Sequence, residues 1–272
     1  MKKLFLSTLL CLFLATNALA LRIVVLYAAA SPILKNLGVS PKEVVGVTRT
    51  DHTFPGAVKV GSHLHPNIEL VKALHPDLII AGSKRAFPPE LEKRLGIKVF
   101  RYDPSTLKGI LKKIKELGEV LHRKKAAARL ISQLESYLRK VKKLPYTPGV
   151  VYEVMSNPLL VAGTKSIVND IIEKAGGKNL ITVPRKHIAV SPEKVLALNP
   201  DFYIYQVGPM NRHPIPPKQR PYFKDLKAVV IRVKEKDFAR PGLNAFKAVV
   251  KLNRIFYQVL AGKRQRVRNY GS

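Results

Sequence analysis

Residues 67–78, NIELVKALHPDL, recur 124 positions later as residues 191–202, SPEKVLALNPDF. Each stretch begins with a residue that commonly caps a helix, Asn67 or Ser191. Each helix is then ended by a Pro-Asp pair, which leads directly into the apolar residues of a strand. The repetition predicts two lobes that are built alike.

Apolar runs of strand length alternate with helical segments on both sides of the repeated stretch. Strands are predicted at residues 22–26, 44–48, 78–81, 99–102, 149–154, 202–205 and 229–233. Helices are predicted at residues 28–37, with Ser31 and Pro32 as N-cap and first position, and at 67–74, 88–95, 166–175 and 243–260. This alternation indicates parallel sheets covered by helices on both faces, so the expected fold class is α/β.

The middle of the chain has a helical pattern without strands. Apolar residues recur at spacings of three and four over residues 107–121 and again over 122–142, and Gly118 is expected to separate the two helices. The second helix would be about 30 Å long, which suits a rigid strut. The predicted domains are an N-terminal lobe at 21–121, a connecting helix at 122–144, a C-terminal lobe at 145–262 and a basic tail at 263–272.

The first twenty residues have the pattern of a secretory signal. Two lysines precede an apolar run at residues 4–14, which is short for a membrane span, and the small residues Ala18 and Ala20 predict cleavage after Ala20. The only cysteine, Cys11, lies within this run and is preceded by leucines, whereas a lipoprotein signal needs small residues there. We therefore expect an exported protein without a lipid anchor, and a mature chain without disulfides.

The chain is strongly basic, with 48 lysines and arginines, 18 acids and a formal net charge of +30. A nucleic-acid module usually gathers its charge on one face or tail and interleaves aromatic residues, whereas here the excess is spread along the chain. Together with the secretory signal, this argues against nucleic acid as a partner. The charge indicates a basic solvated surface, and it is compatible with a cleft that attracts an anionic ligand.

Each repeated stretch carries a glutamate in the first turn of its helix, Glu69 in one and Glu193 in the other. A carboxylate at that position gains about 0.3–1 kcal/mol from the helix dipole, which explains either residue alone. The matched pair also fits a second explanation. Symmetric acids on two lobes can bind basic groups of a pseudo-symmetric partner.

A series of short motifs runs in order through nearly the whole chain after residue 21. They lie at residues 22–26 (RIVVL), 45–48 (VGVT), 60–61 (VG), 66–69 (PNIE), 76–81 (PDLIIA), 96–99 (GIKV), 161–166 (VAGTKS), 175–179 (AGGKN), 191–193 (SPE) and 240–242 (RPG). No single motif is specific, but their order and spacing are. In them the chain resembles the periplasmic binding proteins for cobalamin, haem and ferric siderophores.

This resemblance implies two Rossmann-like lobes joined by one rigid helix, with the ligand in the cleft between them. It implies the substrate-binding subunit of an ABC importer, in which Glu69 and Glu193 meet arginines of the permease dimer. The ligand would be a metal chelate, with a ferric siderophore placed first, cobalamin or another corrinoid second, and haem and an oxyanion such as molybdate after them. A monomer without an intrinsic cofactor is expected.

Ligand contacts in such a fold come from loops at the carboxyl ends of the strands. In the first lobe this rule selects Tyr27, Ala28, Ala29, Arg49, Thr50, Asp51, His52, His63 and His65 as ligand-binding candidates. In the second lobe it selects Met155, Ser156, Asn157, Arg185, His187, Gln206, Met210 and Arg240.

The candidate residues suit an anionic metal chelate. Neutral imidazole is a common metal ligand, and His63 and His65 can offer two nitrogens if their loop bends, although loop histidines are often only solvated. Guanidinium groups bind carboxylates and phosphates bidentately. Because the chain has no tryptophan, a flat ligand is expected to stack on a tyrosine such as Tyr27.

Two other function classes stay open. One is a secreted enzyme, and the other is a metal or haem sensor-chaperone with the same fold. The sequence contains no Gly-x-Ser-x-Gly elbow, His-Glu-x-x-His zinc helix or Walker loop. No catalytic residue is therefore expected.

Overall fold

The chain forms two α/β lobes, each with a central sheet covered by helices. The computed structural model describes residues 21–269, so the predicted signal peptide at 1–20 and the last three residues of the predicted tail lie outside the described residues. The fold class expected from the sequence is confirmed. Within residues 21–269, no helix is both long and apolar enough to cross a membrane.

The N-terminal sheet is parallel, with the strand order β3-β2-β1-β4-β5. Its strands are β1 (Ile23–Val25), β2 (Val44–Val47), β3 (Val58–Lys59), β4 (Leu78–Ala81) and β5 (Lys98–Arg101). Its helices are α1 (Ser31–Asn36), α2 (Ile68–Ala73) and α3 (Pro89–Leu95). Ile23 and Val25 pack into one core and Val24 into another on the opposite face, which explains why the strands are continuous apolar runs.

The C-terminal sheet is mixed, with the order β11-β10-β6-β7-β9 and with β8 beside β6. Its strands are β6 (Gly149–Ser156), β7 (Leu159–Ala162), β8 (Lys178–Asn179), β9 (His187–Ala189), β10 (Phe202–Val207) and β11 (Val229–Lys234). Its helices are α6 (Ile167–Lys174), α7 (Pro192–Ala197), α8 (Glu235–Phe238) and α9 (Asn244–Asn269). Strands β7 and β9 run antiparallel to their neighbours. They extend the parallel part that the sequence predicted.

Two packed helices, α4 (Leu107–Val120) and α5 (Lys124–Leu138), lie between the two sheets in sequence. Gly118 does not separate them, contrary to the prediction: it lies inside α4, where an added Cβ would approach the Cβ of Ala127 to 2.4 Å. The chain turns instead at His122, which has a left-handed φ of 55°. Helix α5 spans about 22 Å, which is shorter than the strut predicted over residues 122–142.

The hairpin contacts both lobes. At the start of α4, the Leu107 N–H donates to Asp170 of the C-terminal lobe at 2.6 Å. At the turn between the helices, Arg123 pairs with Glu43 of the N-terminal lobe at 3.1 Å. The connection is therefore a helical hairpin that crosses between the lobes twice, where the sequence predicted a single connecting helix.

The repeated stretch has the same local structure in both lobes. The Asn67 side chain accepts a hydrogen bond from the Leu70 N–H at 3.0 Å, and that of Ser191 accepts one from the Lys194 N–H at 3.3 Å. After each helix one residue takes a left-handed φ. The following aspartate of the Pro-Asp pair then accepts a 2.8 Å hydrogen bond from the first strand of its own lobe.

One apolar core runs through both lobes and the hairpin. It joins residues of β1 and α1 to residues of α4, α5, β6, α6 and α9. Polar contacts also cross between the lobes. The buried Tyr102 hydroxyl donates to the Pro241 carbonyl at 2.7 Å, and Lys186 pairs with Asp103 at 2.9 Å. A shared core leaves little freedom for one lobe to rotate on the other.

Two helix ends differ from the sequence-based expectation. Ser31 is not the N-cap of α1, a position that Ala30 occupies, because the Ser31 hydroxyl donates to the buried Asp51 carboxylate instead. Helix α9 continues past residue 260 to Asn269, so it includes most of the segment that was predicted as a separate tail.

Candidate functional site

A cavity of about 410 Å³ lies between the lobes, at the carboxyl ends of the parallel strands. We call it the central cavity. The loops after β1, β2, β3 and β5 form its N-terminal wall, and the loops after β7, β8, β10 and β11 form its C-terminal wall. Its volume falls within the usual range for small-molecule sites, about 300–1,000 Å³.

Nine of the ligand-binding candidates from the sequence line the central cavity. They are Tyr27, Ala28, Ala29, Arg49, Thr50, His63, His187, Met210 and Arg240. Six strand-end loops, three in each lobe, thus converge on one cavity, as the strand-end rule predicts for such a fold.

Eight candidates lie elsewhere, and most are used within the protein. Gln206 is fully buried and donates to the Val154 carbonyl at 2.9 Å, because the end of β10 turns its side chain into the core. Ser156 bonds Asn211 at 2.9 Å, and with Asn157 it lines a different surface pocket. The remaining candidates outside the central cavity are Met155, Arg185, His65, Asp51 and His52. Asp51 and His52 line a second cavity that is described below.

The sequence analysis did not select several residues of the cavity wall. Pro104 and Ser105 follow β5, Lys165 and Ser166 precede α6, and the others include Thr48 and Glu235. The strand-end rule could have found Pro104 and Ser105, because they follow β5, a strand that the sequence predicted at residues 99–102. Lys165 and Ser166 follow β7, which no sequence signal had identified.

His63 is presented by a tight turn. The Ser62 N–H donates to the His65 carbonyl at 3.2 Å, and Gly61 and Pro66 pair across the base of the turn. Gly61 has a φ of 98°, and an added Cβ would approach the His65 carbonyl oxygen to 2.7 Å, so glycine is required there. The turn places the His63 ring 5.8 Å from the Tyr27 ring and leaves His65 outside the cavity.

The two cavity histidines favour their neutral form. Partial desolvation lowers the pKa of His63, and the nearby charges of Arg240, His65 and Lys186 lower it further. The pKa of His187 is lowered by desolvation and by Lys186. A neutral imidazole keeps a free nitrogen lone pair at neutral pH, which is the form that binds a metal ion.

Tyr27 stays protonated over the whole physiological range of pH. Burial and the negative charge of Asp103 raise the pKa of its phenol to about 12. The Tyr27 ring also packs against the buried Tyr102 ring, with the ring centroids 6.1 Å apart. Tyr27 therefore offers the cavity a fixed aromatic surface and a hydroxyl, and it adds no negative charge.

A buried polar network holds the loop that brings Met210 to the cavity. The Met210 N–H donates to Glu235 at 2.8 Å, and the Asn211 side chain donates to the Gln206 carbonyl at 2.9 Å. Behind the loop, Arg220 pairs with the fully buried Glu153 through two bonds, at 2.6 and 2.9 Å. Met210 itself stays 40% exposed, so its thioether is accessible to a ligand.

Positive charge dominates the cavity wall. Arg49, Lys165, Lys186 and Arg240 line it, and Glu235 is its one carboxylate. Glu235 is buried and already accepts the Met210 N–H. The wall therefore offers cationic groups that can bind carboxylates, and histidine and methionine side chains of the kind that bind metals.

No cluster of three or more His, Cys, Asp or Glu side chains in residues 21–269 can hold a metal ion alone. Of the pair His63 and His65, only His63 lines the central cavity. The donor set therefore suits a metal that arrives inside a chelate, which supplies most of its own ligands.

A family model described as periplasmic binding protein matches residues 23–269. The chain belongs to the periplasmic binding protein family. The resemblance inferred from the motifs is thereby confirmed. A similar protein, the high-affinity heme uptake system protein IsdE of Staphylococcus aureus strain Newman, is 30% identical over 239 residues, which cover 79% of this chain and 81% of IsdE.

Solved structures of other proteins have the same fold as this family member. The crystal structure of S. aureus IsdE complexed with heme matches with a TM-score of 0.74 and 30% identity, over 87% of this chain and 99% of that one. The periplasmic vitamin B12 binding protein BtuF of Vibrio cholerae matches with a TM-score of 0.72 and 22% identity, over 88% and 97% of the two chains. The second likeness is one of fold alone.

The two repeated glutamates lie on the surface of this family member, one on each lobe. The Glu69 side chain is 81% exposed, and its only ion pair among the described residues is a loose 3.7 Å contact with Lys72. Glu193 is exposed as well, and hydrogen bonds from its own backbone and from Ser191 lower the pKa of its carboxyl. Both side chains are accessible.

Proposed function

We propose that this protein is the exported substrate-binding subunit of an ABC importer and that its cargo is haem. The observation that carries the proposal is the placement of accessible metal-binding side chains on opposite walls of the central cavity. His63 lies on the N-terminal wall, and Met210 and His187 lie on the C-terminal wall. Histidine and methionine are common axial ligands of haem iron.

The rest of the cavity fits the other parts of haem. Haem carries two carboxylate side chains, and Arg49, Lys165 and Arg240 can bind them, whereas Lys186 is already paired with Asp103. The face of a planar macrocycle can pack on the Tyr27 ring, which is already fixed by its neighbours. In this assignment His63 is the N-terminal ligand, and Met210 or His187 is the ligand from the other lobe.

Haem takes the first place that the sequence analysis gave to a ferric siderophore. The relative at 30% identity is named for heme uptake, whereas the vitamin B12 binding protein is 22% identical and supports the fold only. A ferric siderophore would bring all the iron ligands itself and would leave the His63 imidazole without a role. Siderophores and cobalamin are therefore retained as comparison ligands for the test.

Capture and delivery complete the proposed role. The predicted signal peptide would export the chain to the periplasm, where a monomer would collect its cargo. Glu69 and Glu193 would then dock the two lobes on basic groups of the permease dimer. We expect the protein to act without catalysis, because its relative IsdE is named for heme uptake.

The direct test is a ligand panel. Haemin, a ferric siderophore, ferric citrate and cyanocobalamin would each be added to the purified protein, and the melting temperature would be measured. A ligand at a hundredfold excess over its Kd stabilises the folded state by about 2.7 kcal/mol. We expect a large shift with haemin together with a 1:1 change in its absorbance spectrum. A shift with another chelate but none with haemin would reject haem as the cargo.

Two histidines in the same turn give a matched pair of variants. His63→Ala should weaken haemin binding about tenfold or more and change the haemin absorbance spectrum, because an iron ligand is lost. His65→Ala removes the same group two residues away but outside the cavity, so it should bind haemin like the wild type. Equal haemin affinities of the two variants would show that His63 is not an iron ligand.

A further inference from the structure

A second cavity of about 290 Å³ adjoins the central cavity. We call it the flanking cavity. It shares four wall residues with the central cavity, namely Ala28, Ala29, Thr50 and Arg240. Its other walls come from the loop after β2, from Lys236 in α8 and from the first turn of α9 with Lys247. The two cavities are therefore neighbours across a thin partition that contains Arg240.

Cations outnumber carboxylates in the wall of the flanking cavity by three to one. Lys236, Arg240 and Lys247 line it, and none of these three has a carboxylate within 4 Å among the residues that the structure describes. Asp51 is the one acid in the wall. It is 2% exposed, and its carboxylate already accepts bonds from the Ser31 hydroxyl and the Thr53 N–H.

The remaining wall groups also suit an anion. Thr50, Thr53 and His52 add side chains that can donate hydrogen bonds. Helix α9 begins at Asn244 in the same wall, and the amino end of a helix carries partial positive charge. The helix end adds to the site, but the three lysine and arginine side chains are its main feature.

We propose that the flanking cavity is an anion subsite that binds a carboxylate or phosphate group. Arg240 would connect the two cavities, because it lines both of them. The anion can come from two sources. It can be a side arm of the cargo that reaches past Ala28 and Ala29, or it can be a small free anion that binds beside the cargo.

The test uses two lysines on the same helix. Lys247 lines the flanking cavity, whereas Lys251, one turn further along α9, does not. Each ammonium lies 6.0 Å from the centre of an aromatic ring, Tyr137 for Lys247 and Phe238 for Lys251. The substitutions Lys247→Gln and Lys251→Gln therefore change the net charge and the local cation–π contact equally, and only the first removes a cation from the cavity.

Inorganic phosphate would be titrated into the ligand-free protein at low ionic strength, where charge interactions are least screened, and the heat of binding measured. We expect one phosphate site, weakened about tenfold by Lys247→Gln and unchanged by Lys251→Gln. Melting temperatures of both variants would verify that they are folded. If phosphate does not bind, or if the two substitutions weaken it equally, the subsite is rejected.

A second titration separates the two sources of the anion. Phosphate would be added to protein that is already saturated with haemin. Exclusion of phosphate by haemin would assign the subsite to a side arm of the cargo, and simultaneous binding would assign it to a free anion. The first titration needs no haemin, so a failure of the haem proposal would leave the result on the subsite intact.

Discussion

The contact between Glu153 and Arg220 is the most buried ion pair described in the protein. Glu153 is 0% exposed and Arg220 is 4% exposed, and two hydrogen bonds join their side chains. The Glu153 carboxylate also accepts a hydrogen bond from the Tyr203 hydroxyl at 2.5 Å. A buried pair adds little net stability, but removing one partner leaves an uncompensated charge in the core. The pair also fixes the segment after β10, which carries Met210 to the central cavity.

We expect Arg220→Met to destabilise the protein by about 3–5 kcal/mol, because the Glu153 carboxylate would stay buried without its counter-ion. Urea unfolding followed by circular dichroism measures this change. Arg212→Met is the matched control in the same segment, since Arg212 is exposed and has no ion pair among the described residues; its effect should stay within about 0.5 kcal/mol.

The double variant Glu153→Gln with Arg220→Met removes both charges. It should recover part of the stability lost in Arg220→Met, because a neutral amide costs less to bury than an unpaired carboxylate. A loss below about 1 kcal/mol in Arg220→Met, or a double variant less stable than the single one, would contradict the role given to the pair.

At the scale of single residues, the sequence predicted which loops line the central cavity better than it predicted which side chains point into it. The rule that ligands contact the carboxyl ends of strands selected nine residues that line the central cavity. The same rule selected Gln206, whose side chain turns into the core. Which way a residue at the end of a strand points depends on partners far away in the sequence, such as Tyr152 for Gln206, and a local pattern carries no information on them.

At the scale of elements, the sequence pattern identified most helices and most parallel strands, and it missed the antiparallel strand β7 and several short strands. β3 and β8 have two residues each, and β9 has three, which is too short for an alternation to appear. Gly118 was misinterpreted for a related reason. Glycine commonly ends helices, but at this position it allows α4 and α5 to pack closely.

Gly118→Ala tests this interpretation, because intrinsic propensity and packing predict opposite signs. Replacing a helix-interior glycine by alanine gains up to about 1 kcal/mol. Here the new methyl group would meet the Ala127 Cβ at 2.4 Å, and overpacking costs about 1–3 kcal/mol. We therefore expect a net loss of stability in urea unfolding, with recovery when Ala127→Gly is added. Greater stability of Gly118→Ala than of the wild type would show that α4 and α5 can accommodate the added methyl group, and it would contradict this interpretation.

The whole molecule repeats one design in two lobes around a common core. The repeated stretch gives each lobe a capped helix, a left-handed residue and an aspartate bonded to the first strand. The sequence predicted this symmetry from residues 67–78 and 191–202 alone. It could not predict that one core would continue through both lobes and the hairpin, because those contacts join residues that are remote in the chain.

This symmetry gives the final prediction, which concerns delivery of the cargo. The substitutions Glu69→Arg and Glu193→Arg would place like charges opposite the basic groups proposed on the permease, and like charges at an interface cost several kcal/mol. Both residues are exposed and lie outside the central cavity, so haemin affinity should be unchanged while haem uptake by cells with the cognate transporter is lost. Glu90→Arg with Asp225→Arg makes the same charge change at other exposed sites, one in each lobe, and should leave uptake intact. Normal uptake by the Glu69 and Glu193 variant, or a fall in its haemin affinity, would refute docking through these acids.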